Sequence, residues 1–120
     1  MQVISVVDDD PSVRAATVDL LDSAGLACLA FASAEAFLSS GAVARTSCLI
    51  LDVSMPKLSG IELHQMLVQA GHSIPVIFVS AFPRERIRAL AAASGAICCL
   101  LKPYSDNKLF RCIGMALGTP

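Results

Sequence analysis

Five short apolar runs along the chain alternate with stretches of helical periodicity. Four of these runs, the first and the last three, are apolar almost throughout, which is typical of strands covered by helices on both faces. We predict a β-strand for each run: Val3–Val7, Ala27–Phe31, Cys48–Leu51, Val76–Ser80 and Ala96–Leu101. The pattern favours a buried parallel sheet over a half-exposed antiparallel one.

The segments between the runs carry the start and stop signals of helices. Asp10 and Pro11 suit the cap and first position of a helix that ends near Gly25. Ser33 can cap a second helix, and Ser59-Gly60-Ile61-Glu62 has the capping-box pattern that opens a third. Two more helices are predicted, at Arg84–Ser94 and Asp106–Leu117.

Alternating strands and helices predict an α/β fold, a flavodoxin-like doubly wound (βα)5 domain with a five-stranded parallel sheet. Its expected strand order is 2-1-3-4-5, which places the ends of strands 1 and 3 side by side where ligands bind in such sheets. We expect residues 1–120 to form a single domain, with residues 118–120 beginning a linker.

Acidic residues and one lysine stand where the predicted strands end. Asp8 and Asp9 follow the first run, Asp52 the third and Lys102 the fifth, while Ser80 closes the fourth. Like charges at short range raise each other's pKa, so a carboxylate cluster persists most readily where a cation or a reaction uses it. Carboxylates suit Mg²⁺, which would keep Asp52 ionised and nucleophilic.

The same residue types suit phosphoryl transfer. An incoming phosphoryl group needs its oxygens neutralised, which Mg²⁺ and the Lys102 ammonium can do together. Ser80 offers a hydroxyl donor, and the backbone N–H of Ala81 can approach a phosphate closely. The predicted product is an aspartyl phosphate on Asp52, whereas Asp10 is interpreted only as a helix cap.

Composition narrows the function classes. The formal net charge is −1 and the pI is about 6, so we expect no direct nucleic-acid binding by this domain. The sequence shows no signal peptide or membrane span, and we expect a cytoplasmic protein. The five cysteines lack CxxC spacing and neighbouring histidines, and we interpret them as small core residues. Hydrophobic residues make up 55% of the chain. This high fraction indicates either an exposed apolar face for a partner or dimer, or many buried alanines.

Four segments, VISVVDDDPSVR, LILDVSMPKLSGIEL, VIFVSA and LKPYS, resemble the signature segments of bacterial response-regulator receiver domains. The resemblance implies that Asp8 and Asp9 form an acid pocket and that Asp52 is the phosphoacceptor. It implies that the Ser54 backbone carbonyl is a further Mg²⁺ ligand. It also implies that Ser80 is the hydroxyl residue of the switch and that Lys102 binds phosphate. The Lys102–Pro103 peptide bond is expected to be cis on the same ground.

The resemblance also implies partners. Receivers take a phosphoryl group from a histidine kinase and act on an output domain or partner protein through the face of helix 4, strand 5 and helix 5. The segment FASAEAFLSSG is similar to receivers of the nitrogen-fixation-regulator type, which precede a helix-turn-helix output domain and regulate transcription. A homodimer is possible. No enzymatic activity is expected beyond self-catalysed phosphoryl transfer and hydrolysis of the aspartyl phosphate.

The sequence departs from the family at Cys99, where receivers usually carry the Tyr or Phe of the switch. We therefore expect a muted structural response to phosphorylation, and we keep a phosphorylation-independent interaction module as the alternative function. A phosphatase of the aspartyl-phosphate type is disfavoured, because position 54 is Ser where that chemistry needs a second acid. The ring of Phe82 is expected either to slow hydrolysis of the phosphate or to pack on its own helix.

Overall fold

The structure, a computed structural model, describes residues 2–81 and 84–118. The expectations for Phe82 and for the last two residues of the tail lie outside this range. No helix among the described residues is long and apolar enough to cross a membrane.

The five strands form one parallel sheet in the order β2-β1-β3-β4-β5, which confirms the predicted topology. The strands are β1 Val3–Val7, β2 Ala27–Phe31, β3 Cys48–Asp52, β4 Val76–Ser80 and β5 Cys98–Leu101. β3 runs one residue further than predicted and includes Asp52. β5 begins two residues later than predicted, although the Ile97 N–H before it already donates to the Val76 carbonyl at 2.9 Å.

Four α-helices connect the strands and a fifth follows β5, as predicted: α1 Pro11–Ser23, α2 Ala34–Ser39, α3 Gly60–Gln69, α4 Arg84–Ser94 and α5 Asp106–Leu117. Asp10 caps α1 by accepting from Ser12 N–H at 2.9 Å, and Ser33 caps α2. The capping box of α3 is complete, since Ser59 and Glu62 each accept the other's backbone N–H. A short 3₁₀ helix, Ala42–Arg45, has no counterpart in the prediction.

Helices on both faces of the sheet bury two separate apolar cores, as the continuous apolar strands predicted. One core lies on the side of α2 and α3 and contains the rings of Phe37 and Phe78. The other lies on the side of α1 and α5 and contains Leu21 and Leu109. Adjacent strand residues point to opposite cores, so Cys98 packs against the second core and Cys99 against the first.

Gly60 sets the distance between α3 and the end of β3. A Cβ atom at this position would overlap the backbone carbonyl oxygen of Asp52 and lie 3.0 Å from the Cα atom of Val53. The Gly60 N–H also donates to the Val53 carbonyl at 3.1 Å. The start of α3 can therefore sit against Asp52 only without a side chain at residue 60.

Gly60→Ala is expected to destabilise the fold by about 2–3 kcal/mol, because neither of the two overlapping backbone segments can move freely. Gly71→Ala is the matched control: no atom lies within 4 Å of its Cβ, but its φ of +87° strains alanine. We expect that control to cost about 1 kcal/mol. Urea unfolding measures both, and equal losses would contradict the close approach at Gly60.

Candidate functional site

The strand register brings the polar strand ends together. Val7 of β1 pairs with Leu51 of β3, so Asp8 and Asp52, the next residues, are neighbours. On the other side of β3, Asp52 pairs with Val79 of β4. Because all strands are parallel, these residues meet at the carboxyl edge of the sheet.

Lys102 links the two buried carboxylates. Its Nζ atom lies 2.9 Å from Asp8 Oδ2 and 3.6 Å from Asp52 Oδ1. The side chains of Asp8 and Asp52 are only 2% and 5% exposed, while that of Lys102 is 17% exposed. Charges this deeply buried are tolerated only when paired, so the three side chains form one electrostatic unit.

The position of Asp52 makes its charge costly. Burial, and then the negative charge of Asp8, raise the pKa of Asp52 to about 7, against the opposing effects of Lys102 and of the Ser54 N–H. That N–H donates to Asp52 Oδ1 at 3.3 Å. Burial alone would lower the pKa of Lys102, but its hydrogen bond to Asp8 and the charges of both carboxylates outweigh burial and raise it. Lys102 therefore stays protonated beside Asp52.

Asp8, Asp9 and Asp52 place carboxylate oxygens within 4.8 Å of one another. Asp8 Oδ2 is buried, and its close partner is the Lys102 ammonium at 2.9 Å. Asp9 is exposed, which gives an ion access from solvent. An oxygen-only set with excess negative charge fits Mg²⁺.

The remaining predicted site residues lie around this cluster. Ser80 is fully buried at the end of β4, where its carbonyl accepts the Lys102 N–H at 2.7 Å. Ala81 follows it on the surface, and Ser54 is exposed two residues after Asp52. The Lys102–Pro103 peptide bond is cis, as the resemblance implied.

Cys99 lies away from the cluster. It is half-buried in β5, opposite Phe78 of β4, and packs against the core on the side of α2 and α3. Its thiol occupies the position predicted for the switch aromatic.

Three contributions to the site were not found from the sequence. The Arg14 guanidinium donates from Nη1 to the Asp8 carbonyl at 2.7 Å, which fixes the end of β1. The hydroxyls of Tyr104 and Thr17 are hydrogen-bonded at 2.8 Å and tie the segment after Lys102 to α1. For Arg14 the only available signal was its place one turn after the Asp10 cap. For Tyr104 and Thr17 no local signal exists, because they are far apart in the chain.

Comparison with known proteins identifies the family to which the chain is similar. The family described as response regulator receiver domain matches residues 4–113. Response regulator protein TmoT of Ectopseudomonas mendocina is 39% identical over 115 residues, covering 96% of this chain and 52% of that protein. Transcriptional regulatory protein FixJ of Azorhizobium caulinodans is 35% identical over 115 residues, covering 96% of this chain and 54% of that protein. The chain thus spans about half the length of these curated relatives.

Solved structures of receiver domains show the same fold. The response regulator StyR superimposes with a TM-score of 0.89 at 37% identity, covering 98% of this chain and 59% of that one. FixJ-N gives 0.89 at 30% identity, with coverage of 98% and 94%. The match in fold, in sequence and across nearly the whole chain places this protein in the family of response regulator receiver domains.

Proposed function

We propose that the protein is a phospho-accepting switch, in which the Asp52 carboxylate takes a phosphoryl group from a histidine kinase. The observation that carries the proposal is the Lys102 ammonium between two buried carboxylates, 2.9 Å from Asp8 and 3.6 Å from Asp52. An ion pair with a purely structural role would need only one carboxylate beside the Lys102 ammonium. A second one, with a pKa raised to about 7, suits a group that gains and loses a substituent.

In the proposed transfer, an Asp52 oxygen attacks phosphorus, the bond from phosphorus to the donor imidazole nitrogen breaks, and the imidazole leaves. Lys102 then neutralises a phosphoryl oxygen, because its ion pair with Asp8 keeps the ammonium beside Asp52. The Ser80 hydroxyl and the backbone N–H of Ala81, a surface residue, bind the other oxygens. Water later attacks phosphorus, which releases phosphate and restores the carboxylate.

Asp8, Asp9, Asp52 and the Ser54 backbone carbonyl are the groups that would hold Mg²⁺. When bound there, Mg²⁺ supplies positive charge that offsets the carboxylate repulsion and the charge of the phosphoryl oxygens. Asp9 is the exposed carboxylate of this set, so it can be altered without disturbing the buried ion pair.

For the output we propose the face of α4, β5 and α5, acting on an attached domain or a partner in the cytoplasm, or on a second copy. Large apolar side chains are exposed there: Leu101 is 43% and Met115 58% exposed, and Ile97 next to β5 is 40% exposed. The names of the relatives, response regulator and transcriptional regulatory protein, support transcription as the regulated process.

The test of the core proposal is the site of modification. Treatment with acetyl phosphate and Mg²⁺ is expected to add one phosphoryl group to the wild-type chain, and none to Asp52→Asn. Asp10→Asn is the matched control, since Asp10 is a nearby carboxylate that only caps α1. Intact-mass spectrometry measures the adduct. Modification of Asp52→Asn at the wild-type level would refute the assignment.

Removal of the metal is expected to expose the cost of the Asp52 charge. The pKa of Asp52 in the folded chain, about 7, is above its ordinary value of 3.8. The folded chain therefore holds this proton more tightly than the unfolded chain does. Metal-free stability should therefore fall as pH rises between these two values, by an amount on the order of 1 kcal/mol or more.

Added Mg²⁺ should consequently raise the melting temperature more at pH 8 than at pH 5.5, because at the lower pH it must displace a proton. Asp9→Asn should lose most of this gain and Asp10→Asn should keep it. Thermal melts at two Mg²⁺ concentrations measure the effect. Equal gains in both variants would speak against Asp9 as a ligand.

The replacement of the switch aromatic by Cys99 predicts a muted response. A thiol moves less volume than a ring, so beryllofluoride should shift amide resonances at the strand ends but few across α4, β5 and α5. Cys99→Tyr is expected to extend the shifts over that face. Extensive shifts of wild-type resonances across α4, β5 and α5 would contradict this prediction. Partner binding that is unchanged by beryllofluoride would favour the phosphorylation-independent module.

A further inference from the structure

Sulfur atoms from β5 and α5 form a cluster that phosphoryl transfer does not use. Cys98 Sγ lies 4.0 Å from Met115 Sδ, to which its thiol can donate a weak hydrogen bond. Cys112 of α5 and Cys48 of β3 are buried in the core against which Cys98 packs, so the three thiols lie on the same side of the sheet. All three thiols are free.

Local geometry explains the convergence. Cys112 and Met115 are three residues apart on α5 and so share one helix face. Cys98 is the first residue of β5 and faces the core beneath α5. The cluster runs inward from the surface, because Met115 is 58% exposed, Cys98 is half-buried and Cys112 is only 6% exposed. An ion therefore has a path from solvent to the inner thiol.

We propose that Cys98, Cys112 and Met115 form a binding site for a soft monovalent cation, Cu(I). Two sulfur ligands, each about 2.3 Å from a three-coordinate ion, stand about 4 Å apart. The sulfur atoms of Cys98 and Met115 already have this separation, at 4.0 Å. These two sulfur atoms can therefore share an ion without rearrangement of the backbone of β5 or α5.

The ligand types select the ion. Thiolate and thioether sulfur prefer Cu(I), whereas structural Zn²⁺ takes four ligands from Cys, His and carboxylates. Within the described part of the chain, the only trio of His, Cys, Asp or Glu close enough to share an ion is the aspartate cluster. The sulfur cluster offers two thiols and a thioether as ligands. Among the described residues, no carboxylate or imidazole trio other than the aspartate cluster competes with it for an ion.

Binding of Cu(I) releases protons from the thiols that become its ligands. Burial raises the pKa of the Cys112 thiol to about 12, so this thiol is protonated in the free protein. Each thiol that becomes a ligand releases one proton to solvent, and no change of oxidation state takes place. The spacing of the ligands in the sequence, 98, 112 and 115, matches no metal motif, which is why the cysteines alone predicted core packing.

The test is anaerobic Cu(I) titration of the full chain against a chromophoric chelator, bicinchoninate. We expect one tightly bound Cu(I) per chain and an X-ray absorption spectrum with about three sulfur neighbours near 2.3 Å. Cys98→Ser should abolish this binding. Cys28→Ser, which alters another half-buried cysteine, should leave it unchanged.

Met115→Leu separates a ligand from a packing residue. The side chain is exposed, so the substitution is expected to leave the fold intact and weaken Cu(I) binding about tenfold or more. Met66→Leu, which alters an exposed methionine of α3, is the matched control. Equal affinity in both methionine variants, or copper retained by Cys98→Ser, would overturn the proposal. Asp52→Asn should bind Cu(I) normally, which keeps this result independent of the phosphoryl site.

Discussion

The Lys102 ammonium is the charge on which the carboxyl edge of the sheet depends. Without it, Asp8 and Asp52 would be two buried carboxylates at short range, each raising the other's pKa. Their separation from Lys102, 2.9 and 3.6 Å, shows that Asp8 holds the ammonium and Asp52 shares it less closely. This asymmetry leaves Asp52 the weaker partner and therefore the one whose charge can be altered at least cost to the fold.

Much of this site was predictable because local signals and one topological rule suffice. The strand ends at Asp8, Asp52 and Lys102 are visible as the limits of apolar runs, and the parallel order then brings them together. The capping box at Ser59 and the cap at Asp10 are equally local, since each satisfies backbone N–H groups within the same turn. Predictions of this kind depend only on neighbouring residues and on strand order.

The features that were missed depend on contacts between distant segments. Gly60 was visible as part of a capping box, but its approach to the Asp52 carbonyl follows from how α3 packs on β3. The contact of Arg14 with the Asp8 carbonyl and the meeting of Cys98 with α5 are likewise set by tertiary packing. The 3₁₀ helix at Ala42–Arg45 carries no periodic apolar pattern long enough to indicate it. Such features need the three-dimensional arrangement of the elements.

The position of β5 at the border of the sheet limits how copies of this domain can associate. β5 has only four residues, and Pro103, which has no N–H to donate, follows it closely. A short border strand that ends near a proline is a poor template for hydrogen bonding to another chain, so continuous intermolecular sheets are disfavoured. Association at this side must instead use side-chain packing, which can be reversed without breaking a backbone ladder.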